Sequence, residues 1–445
     1  MTSLLRAIPA AGTAVLVVAL TAGCAVNAGT AKARQLEEDW RGTPDVAEVS
    51  ASGSNDLPFF GSADGTIVVE PGTSDARVAE LLHELGDYVQ ARDGVSGSLE
   101  VGPMTLGARS YGAGNDDVLD LWRALREEPA VVGAELGTWD VAVDLDDPRR
   151  FVPLTADLTR PGGALEPLAG TRLTVTAGEL RAETSLDGGL APELSAFRAV
   201  AARRPVLEAS LTSHRLVLRV GSYDDALAAR EDAVAAVPSV ADRLVVNGGK
   251  VTFDGTTASE TVADPGLVAA LDARPDVTAV VVQERSLVVA VADLDDARAV
   301  EAGLADDDRV DGLDAVTVAR SWTGAPAADG AVGFRVDVAG AERADLSVTD
   351  VQELAAALPA LTAVTATSGT VKVTLDRPST TDVEASAAEL ATRVERGTVV
   401  DVRADRVFAV VLTAGPRPRA DEVPYDTQIS ADVFVRAWEA SWPTP

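Results

Sequence analysis

Arg243-Leu244-Val245-Val246-Asn247-Gly248-Gly249-Lys250-Val251-Thr252-Phe253 decides how the rest of the chain is read. Two β-branched runs flank a break of Asn and Gly. Asn-Gly supplies the two positive-φ residues that a tight two-residue hairpin turn needs. The stretch therefore predicts a strand ending at Val246, a turn at Asn247-Gly248, and a new strand from Lys250. Leu99-Glu100-Val101, Gly102-Pro103 and Met104-Thr105-Leu106 form a junction of the same kind.

Outward from this junction the pattern repeats. A proline that ends a helix and leads into a strand stands at Pro44, Pro129, Pro205, Pro275 and Pro359. Proline is common just past a helix end because it cannot continue the helix. After the last four of these come β-branched runs broken by short polar turns, at Gly137, Ser213-His214, Glu284-Arg285 and Ser368-Gly369. In the last of them Val371, Val373 and Leu375 alternate with Thr370, Lys372 and Thr374. A period of two with one polar face predicts a sheet covered on one side. Acidic residues follow each hairpin, at Asp146-Asp147, Asp224-Asp225, Asp295-Asp296 and Thr381-Asp382, where they are expected to start helices.

The element order is strand, helix, strand, strand, helix, strand. This is the ferredoxin-like βαββαβ plan, in which two helices cover one face of an antiparallel sheet. The expected fold class is α+β, a tandem array of two-layer modules. The expected segments are a signal peptide at 1–23, a tether at 24–33, an incomplete α/β unit at 34–102, and full units at 103–177, 178–248, 249–330 and 331–405. A terminal strand and helix occupy 406–445. That strand is expected either to complete the first unit or to cap the array.

Composition sets limits on function. The chain has 445 residues, 69 acids against 38 bases, a net charge of −31, two His and one Cys. Such a balance disfavours nucleic acid, which demands clustered positive charge. One cysteine excludes a disulfide framework, and two histidines leave little for a Cys/His metal site. Three of the 38 bases are Lys and the rest Arg, the usage of a G/C-rich genome. No phosphate loop or nucleophile elbow is present. No catalytic residue, cofactor or metal is expected. His83 reads as a boundary residue on a helix over Ala76–Gln90, His214 as a solvated turn residue, and Asp306-Asp307-Asp308 with Asp311 as a solvated loop. Trp122 and Trp139 fall on pattern positions and are expected in the core.

The first residues carry the most specific signal. Arg6 precedes the apolar run Ala14-Val15-Leu16-Val17-Val18-Ala19-Leu20, followed by Thr21-Ala22-Gly23-Cys24. This is the three-part form of an export signal. Leu20-Thr21-Ala22-Gly23-Cys24 resembles the lipobox of bacterial lipoproteins, although the Leu stands one residue further from the Cys than is usual. The resemblance covers residues 1–24 alone. It implies a diacylglycerol on the Cys24 thiol and a place on the extracytoplasmic face of the cell membrane. The acidic body is expected to stand off an anionic bilayer. The remaining site expectation is an aromatic stripe, Phe434, Trp438 and Trp442, spaced four apart on a helix. It reads either as packing against a sheet or as a face for a partner, since aromatics dominate binding hot spots. The expected function is a lipid-anchored, exported, non-enzymatic envelope scaffold with an envelope protein as partner. The alternative is an extracytoplasmic binding protein for a small ligand or peptide.

Overall fold

A computed structural model describes residues 27–57, 60–160, 171–184, 189–254, 261–320, 331–404, 407–420 and 428–443. The signal sequence with Cys24 lies outside these. The chain divides into two compact units, Met1–Arg198 with Glu208–Leu216, and Ala199–Leu207 with Val217–Pro445.

The first unit opens with α1 (Ala28–Trp40), β1 (Val46–Leu57), β2 (Phe60–Val69), α2 (Asp75–Gln90) and β3 (Val95–Val101). It continues through β4 (Met104–Gly107), α3 (Gly112–Arg126), β5 (Val131–Leu136), β6 (Asp140–Leu145), α4 (Pro148–Leu158), β7 (Arg172–Ala177), β8 (Leu180–Glu183) and β9 (Glu208–Thr212). Helix α5 (Ala191–Ala201) and strand β10 (Arg215–Val220) span the division.

The second unit holds α6 (Tyr223–Ala236), β11 (Leu244–Gly248), β12 (Val251–Phe253), α7 (Pro265–Ala273), β13 (Val277–Val282), β14 (Ser286–Val291) and α8 (Leu294–Leu304). Then come β15 (Ala315–Ala319), β16 (Gly333–Ala339), α9 (Val348–Ala357), β17 (Leu361–Thr367), β18 (Thr370–Leu375), α10 (Thr380–Ala391), β19 (Val399–Ala404), β20 (Phe408–Thr413) and α11 (Ala431–Ser441).

The class is α+β, as the sequence predicts, but the sheets are mixed and the pairing is not ferredoxin-like. In a ferredoxin-like sheet a third strand separates the two strands joined through a helix, and all neighbours run antiparallel. Here the helix-joined strands are direct neighbours and parallel: β2–β3, β4–β5 and β6–β7 in the first unit, β14–β15, β16–β17 and β18–β19 in the second. Antiparallel pairs alternate with them, such as β3–β4, β5–β6, β13–β14 and β17–β18. The repeating element is thus one βαβ step followed by one antiparallel join. Apolar periodicity tells a strand which face to bury, and it is silent about which strand lies alongside. Strand β20 pairs with β19, while β2 carries β1 and β3 on its two edges, so β20 is not the missing neighbour of β2.

Three other expectations shift by a few residues. The turn of the opening stretch is Gly249-Lys250, because Gly248 pairs with Val251. Gly249 takes φ +57°, and the Asn247 Oδ1 accepts from the Phe253 amide at 2.9 Å inside the sheet. The helix caps lie just ahead of three of the predicted acids. Ser222, Asp293 and Ser379 accept from first-turn amides, and Ser379 forms a reciprocal capping box with Asp382. Asp147 caps its helix as expected. Helix α1 begins at Ala28, inside the stretch 24–33 expected as a tether, and buries Gly29 and Ala33.

In the first unit, successive strands bury one face and leave the other open. Val95, Leu99, Met104, Leu106, Leu136, Val141, Val143, Leu173 and Val175 point inward. The helices supply the other half of that core, with α2 contributing Val78, Leu81, Leu82 and Leu85. Gly97 faces Leu85, so the helix seats close to the strand. Full burial of each such aliphatic side chain contributes roughly 1.5–3 kcal/mol.

In the second unit one apolar core runs unbroken from Tyr223 to Trp438. It crosses the module boundaries expected near 248, 330 and 405, because the β-ladder is continuous there. The opposite face is also partly covered. Val281, Val288 and Ala319 form a separate buried cluster, and Thr317 and Asp337 are buried on the strands beside it. The one-sided sheet predicted from residues 370–375 therefore describes the first unit better than the second.

Candidate functional site

The best-built polar feature of the first unit lies where β4 gives way to α3. Asn115, on the first turns of α3, is 1% exposed and holds the Arg109 backbone from both sides. The Arg109 amide donates to Asn115 Oδ1 at 2.7 Å, and Asn115 Nδ2 donates to the Arg109 carbonyl at 3.0 Å. Two glycines make room. A Cβ on Gly86 of α2 would collide with Asn115 and the Arg109 carbonyl, and one on Gly114 would strike Tyr111 and Arg109.

Arg109 itself is 6% exposed. Its Nη1 donates to the Tyr111 hydroxyl at 3.3 Å and its Nη2 to the Gly137 carbonyl at 3.1 Å. Its Nε has no hydrogen-bond partner, and no carboxylate pairs with the guanidinium among the described residues. A buried cation usually has an acid beside it, since desolvation is costly otherwise. Among the described residues none stands beside this one. What the guanidinium does is tie two loops together, the 109–111 segment and the β5–β6 turn.

Both loops present large aromatic rings to solvent. Tyr111 is 56% exposed and Trp139 is 76% exposed. The Trp139 backbone is not loose. Its carbonyl accepts from the Arg172 amide at 2.9 Å, and the Gly137 amide donates to the Asp140 carbonyl at 2.8 Å. The expectation that Trp139 belongs to the core is therefore wrong. Its place after the turn residues Gly137-Thr138 was the available signal. Trp122 is buried as predicted, with the Arg126 guanidinium 4.6 Å from its ring centre. Arg109 and Tyr111 carried no periodic signal, since they lie between elements.

The predicted aromatic stripe is assembled, but inward. Phe434 and Trp438 are fully buried, and Trp442 is partly buried. The rings stack in a column, Phe408 to Phe434 at 5.9 Å, Phe434 to Trp438 at 5.8 Å and Trp438 to Trp442 at 5.6 Å. Trp438 Nε1 donates to the Gly415 carbonyl at 2.9 Å. Buried rings cannot meet a partner, so packing against the sheet is the role of Phe434 and Trp438. Cys24 lies outside the described residues.

The remaining polar groups have local work. His83 Nε2 lies 3.1 Å from Asp116 Oδ1 on the surface, and His214 is exposed in its turn. Asp307 is engaged by Arg309 and by its backbone amide. In the second unit Glu301 accepts from the first amide of α9, and burial raises its pKa. Burial also raises the pKa of Asp337, against the opposing hydrogen bond from the Thr317 hydroxyl at 2.6 Å. A shallow depression of about 220 Å³ is lined by Lys372, Thr374, Asp401 and Arg403. Among the described residues, no three His, Cys, Asp or Glu side chains converge as metal ligands, and no helix is long and apolar enough to cross a membrane.

Compared with protein families, curated proteins and solved structures, the chain matches none.

Proposed function

We propose that the chain is an exported, lipid-anchored, non-enzymatic scaffold of the cell envelope that docks a protein partner through Tyr111 and Trp139. The observation that carries this reading is the exposure of two large rings on either side of one buried arginine that pairs with no acid among the described residues. Tyr, Trp and Arg are the residues in which interface energy concentrates. Large rings on fixed backbone offer contact area at small entropic cost. Membrane attachment rests on the export signal and lipobox-like run ending at Cys24. Each acyl CH₂ buried in the bilayer contributes about 0.8 kcal/mol, and two or more chains hold stably.

A photo-crosslinking residue at Thr138, in the full chain in its own envelope, tests the docking face. A discrete adduct that disappears in the Tyr111→Ala, Trp139→Ala double variant is the expected result. No adduct, or one that survives the double variant, overturns the proposal. Mass spectrometry of the mature N-terminus tests the anchor, and an unmodified Cys24 thiol would refute it.

The depression beside Lys372, Asp401 and Arg403 favours the second reading, capture of a small zwitterionic ligand or peptide. Its volume of about 220 Å³ falls below the ~300–1,000 Å³ of most ligand pockets. A ligand-dependent rise in melting temperature abolished by Asp401→Asn would promote this reading over docking.

A further inference from the structure

Strand β1 is an edge. Among the described residues it pairs only with β2. The bonding of β2 decides which backbone groups of β1 face outward. The Ala63 amide of β2 donates to the Gly94 carbonyl just ahead of β3, so Ala63, Gly65 and Ile67 point to β3, while Ser62, Asp64 and Thr66 point to β1. Their partners Ser54, Ser52 and Ser50 are therefore the bonded positions of β1. Val49, Ala51 and Gly53 turn their N–H and C=O groups away from the sheet.

Such an edge is a template for another strand unless something blunts it. Both ends of β1 are blunted. The pairing shifts between Val46 and Glu48. Towards the other end Asn55 Oδ1 accepts from the Gly29 amide at 2.8 Å, and Asn55 Nδ2 donates to Thr30 Oγ1 at 3.0 Å. Between them the run Val49-Ser50-Ala51-Ser52-Gly53-Ser54 holds no proline and no charge. A side chain from another element guards it. Helix α1 lies over β1 and β2, with Leu36 seated on Gly65. The next residue, Glu37, accepts from the Ala51 amide at 3.1 Å. Glu37 thus occupies the middle one of the outward-facing amides.

We infer that the outer edge of β1 is a strand-addition surface for a second copy of this chain, and that the Glu37 carboxylate holds it shut. A second copy is the occupant because the open stretch is symmetric about the guarded residue. Antiparallel pairing around a two-fold axis at Ala51 sets Val49 against Gly53 and Ala51 against itself. Every outward N–H and C=O of the stretch then gains a partner. Ser50 faces Ser52 and Glu48 faces Ser54, so no like charges oppose each other along the join. Strands ~4.8 Å apart bring the two copies of α1 about 10 Å apart on one face, the ordinary spacing of packed helices. The two Glu37 carboxylates meet near the axis and repel each other. The guard therefore acts in two ways: it takes up the Ala51 amide, and its charge bars the copy of itself.

The test removes the guard in the full chain, held in detergent. Glu37→Ala is compared with the parent by light scattering and by amide hydrogen exchange at Val49. The parent is expected to be monomeric, with a fast Val49 amide. The variant is expected to double in protein mass and to slow exchange at Val49 by about tenfold or more, because that amide gains the Gly53 carbonyl of the second copy. Glu37→Gln keeps the shape of the side chain and drops its charge. It should show the same change at higher protein concentration, and it decides alone if Glu37→Ala does not fold. Adding Val49→Pro removes one outward donor without breaking a bond to β2, and should return Glu37→Ala to monomer. Folded variants that stay monomeric at every concentration overturn the inference. A dimer in which Val49 still exchanges fast, or one that survives Val49→Pro, overturns it as well, since the join would lie elsewhere. A parent already dimeric through β1 refutes the guard.

Discussion

Two sets of aromatic rings show how the same residue types serve opposite ends. In the second unit Phe408, Phe434, Trp438 and Trp442 stack into a column, and its first three rings are fully buried. In the first unit Tyr111 and Trp139 stand in solvent, on backbone fixed by Arg109, Asn115 and the β6–β7 ladder. The column closes the end of a core built mostly of Val, Leu and Ala, where a few large rings fill volume that small side chains cannot. The exposed pair closes nothing. Its support costs a buried cation with no counter-ion among the described residues and two glycine-dependent close approaches. A fold that needed only stability would gain by replacing that arrangement with apolar packing. The contrast separates rings that stabilise from rings that are presented.

The contrast is broken most severely at Trp438. Trp438→Ala removes a fully buried ring and strands the Gly415 carbonyl, so the chain should lose about 3–5 kcal/mol in urea unfolding. A loss under about 1 kcal/mol would show that the column is not core. Asn115→Ala comes next. It leaves the buried Arg109 amide and carbonyl unpaired and should cost about 1–3 kcal/mol. The same variant should weaken the Thr138 adduct, because the loop that carries Tyr111 loses its clamp. Unchanged crosslinking would show that the rings need no such support.

Asp337→Asn sharpens the comparison of buried polar groups. Burial raises the native pKa of Asp337 above its ordinary 3.8, so the native state holds this proton more tightly than the unfolded chain. The stability it contributes is fully present below pH 3.8 and falls as pH rises through the raised native value. The variant should therefore be more stable than the parent at neutral pH, with the gap closing in acid. A parent more stable than the variant at pH 7 would contradict this. The smallest effect belongs to Trp139→Ala, which should change unfolding free energy by no more than about 0.5 kcal/mol while abolishing the crosslink.

Legibility in the sequence varied with the kind of question. The strand at Val371–Leu375 and the helix starts near Asp147 and Asp382 were visible because periodicity and capping are local. The burial of Trp122 was visible for the same reason, through its spacing from Val118 and Leu125. The parallel pairing of β4 with β5 was not, since both a skipped and an adjacent crossover bury the same residues. Arg109 and Tyr111 were invisible because a loop residue declares its role only through what lies beside it. Trp139 was misjudged because an apolar residue next to a strand was counted as part of its inward face.

By itself the sequence determined the element order, the α+β class, the acidic surface and the inward face of most strands. These follow from composition and from spacing along one chain. Only the tertiary structure decided strand neighbours, the merging of expected modules into one core, and the fate of each aromatic ring. Those outcomes depend on contacts between residues far apart in the chain, such as Arg109 with Gly137 and Trp438 with Gly415, and no local pattern encodes them.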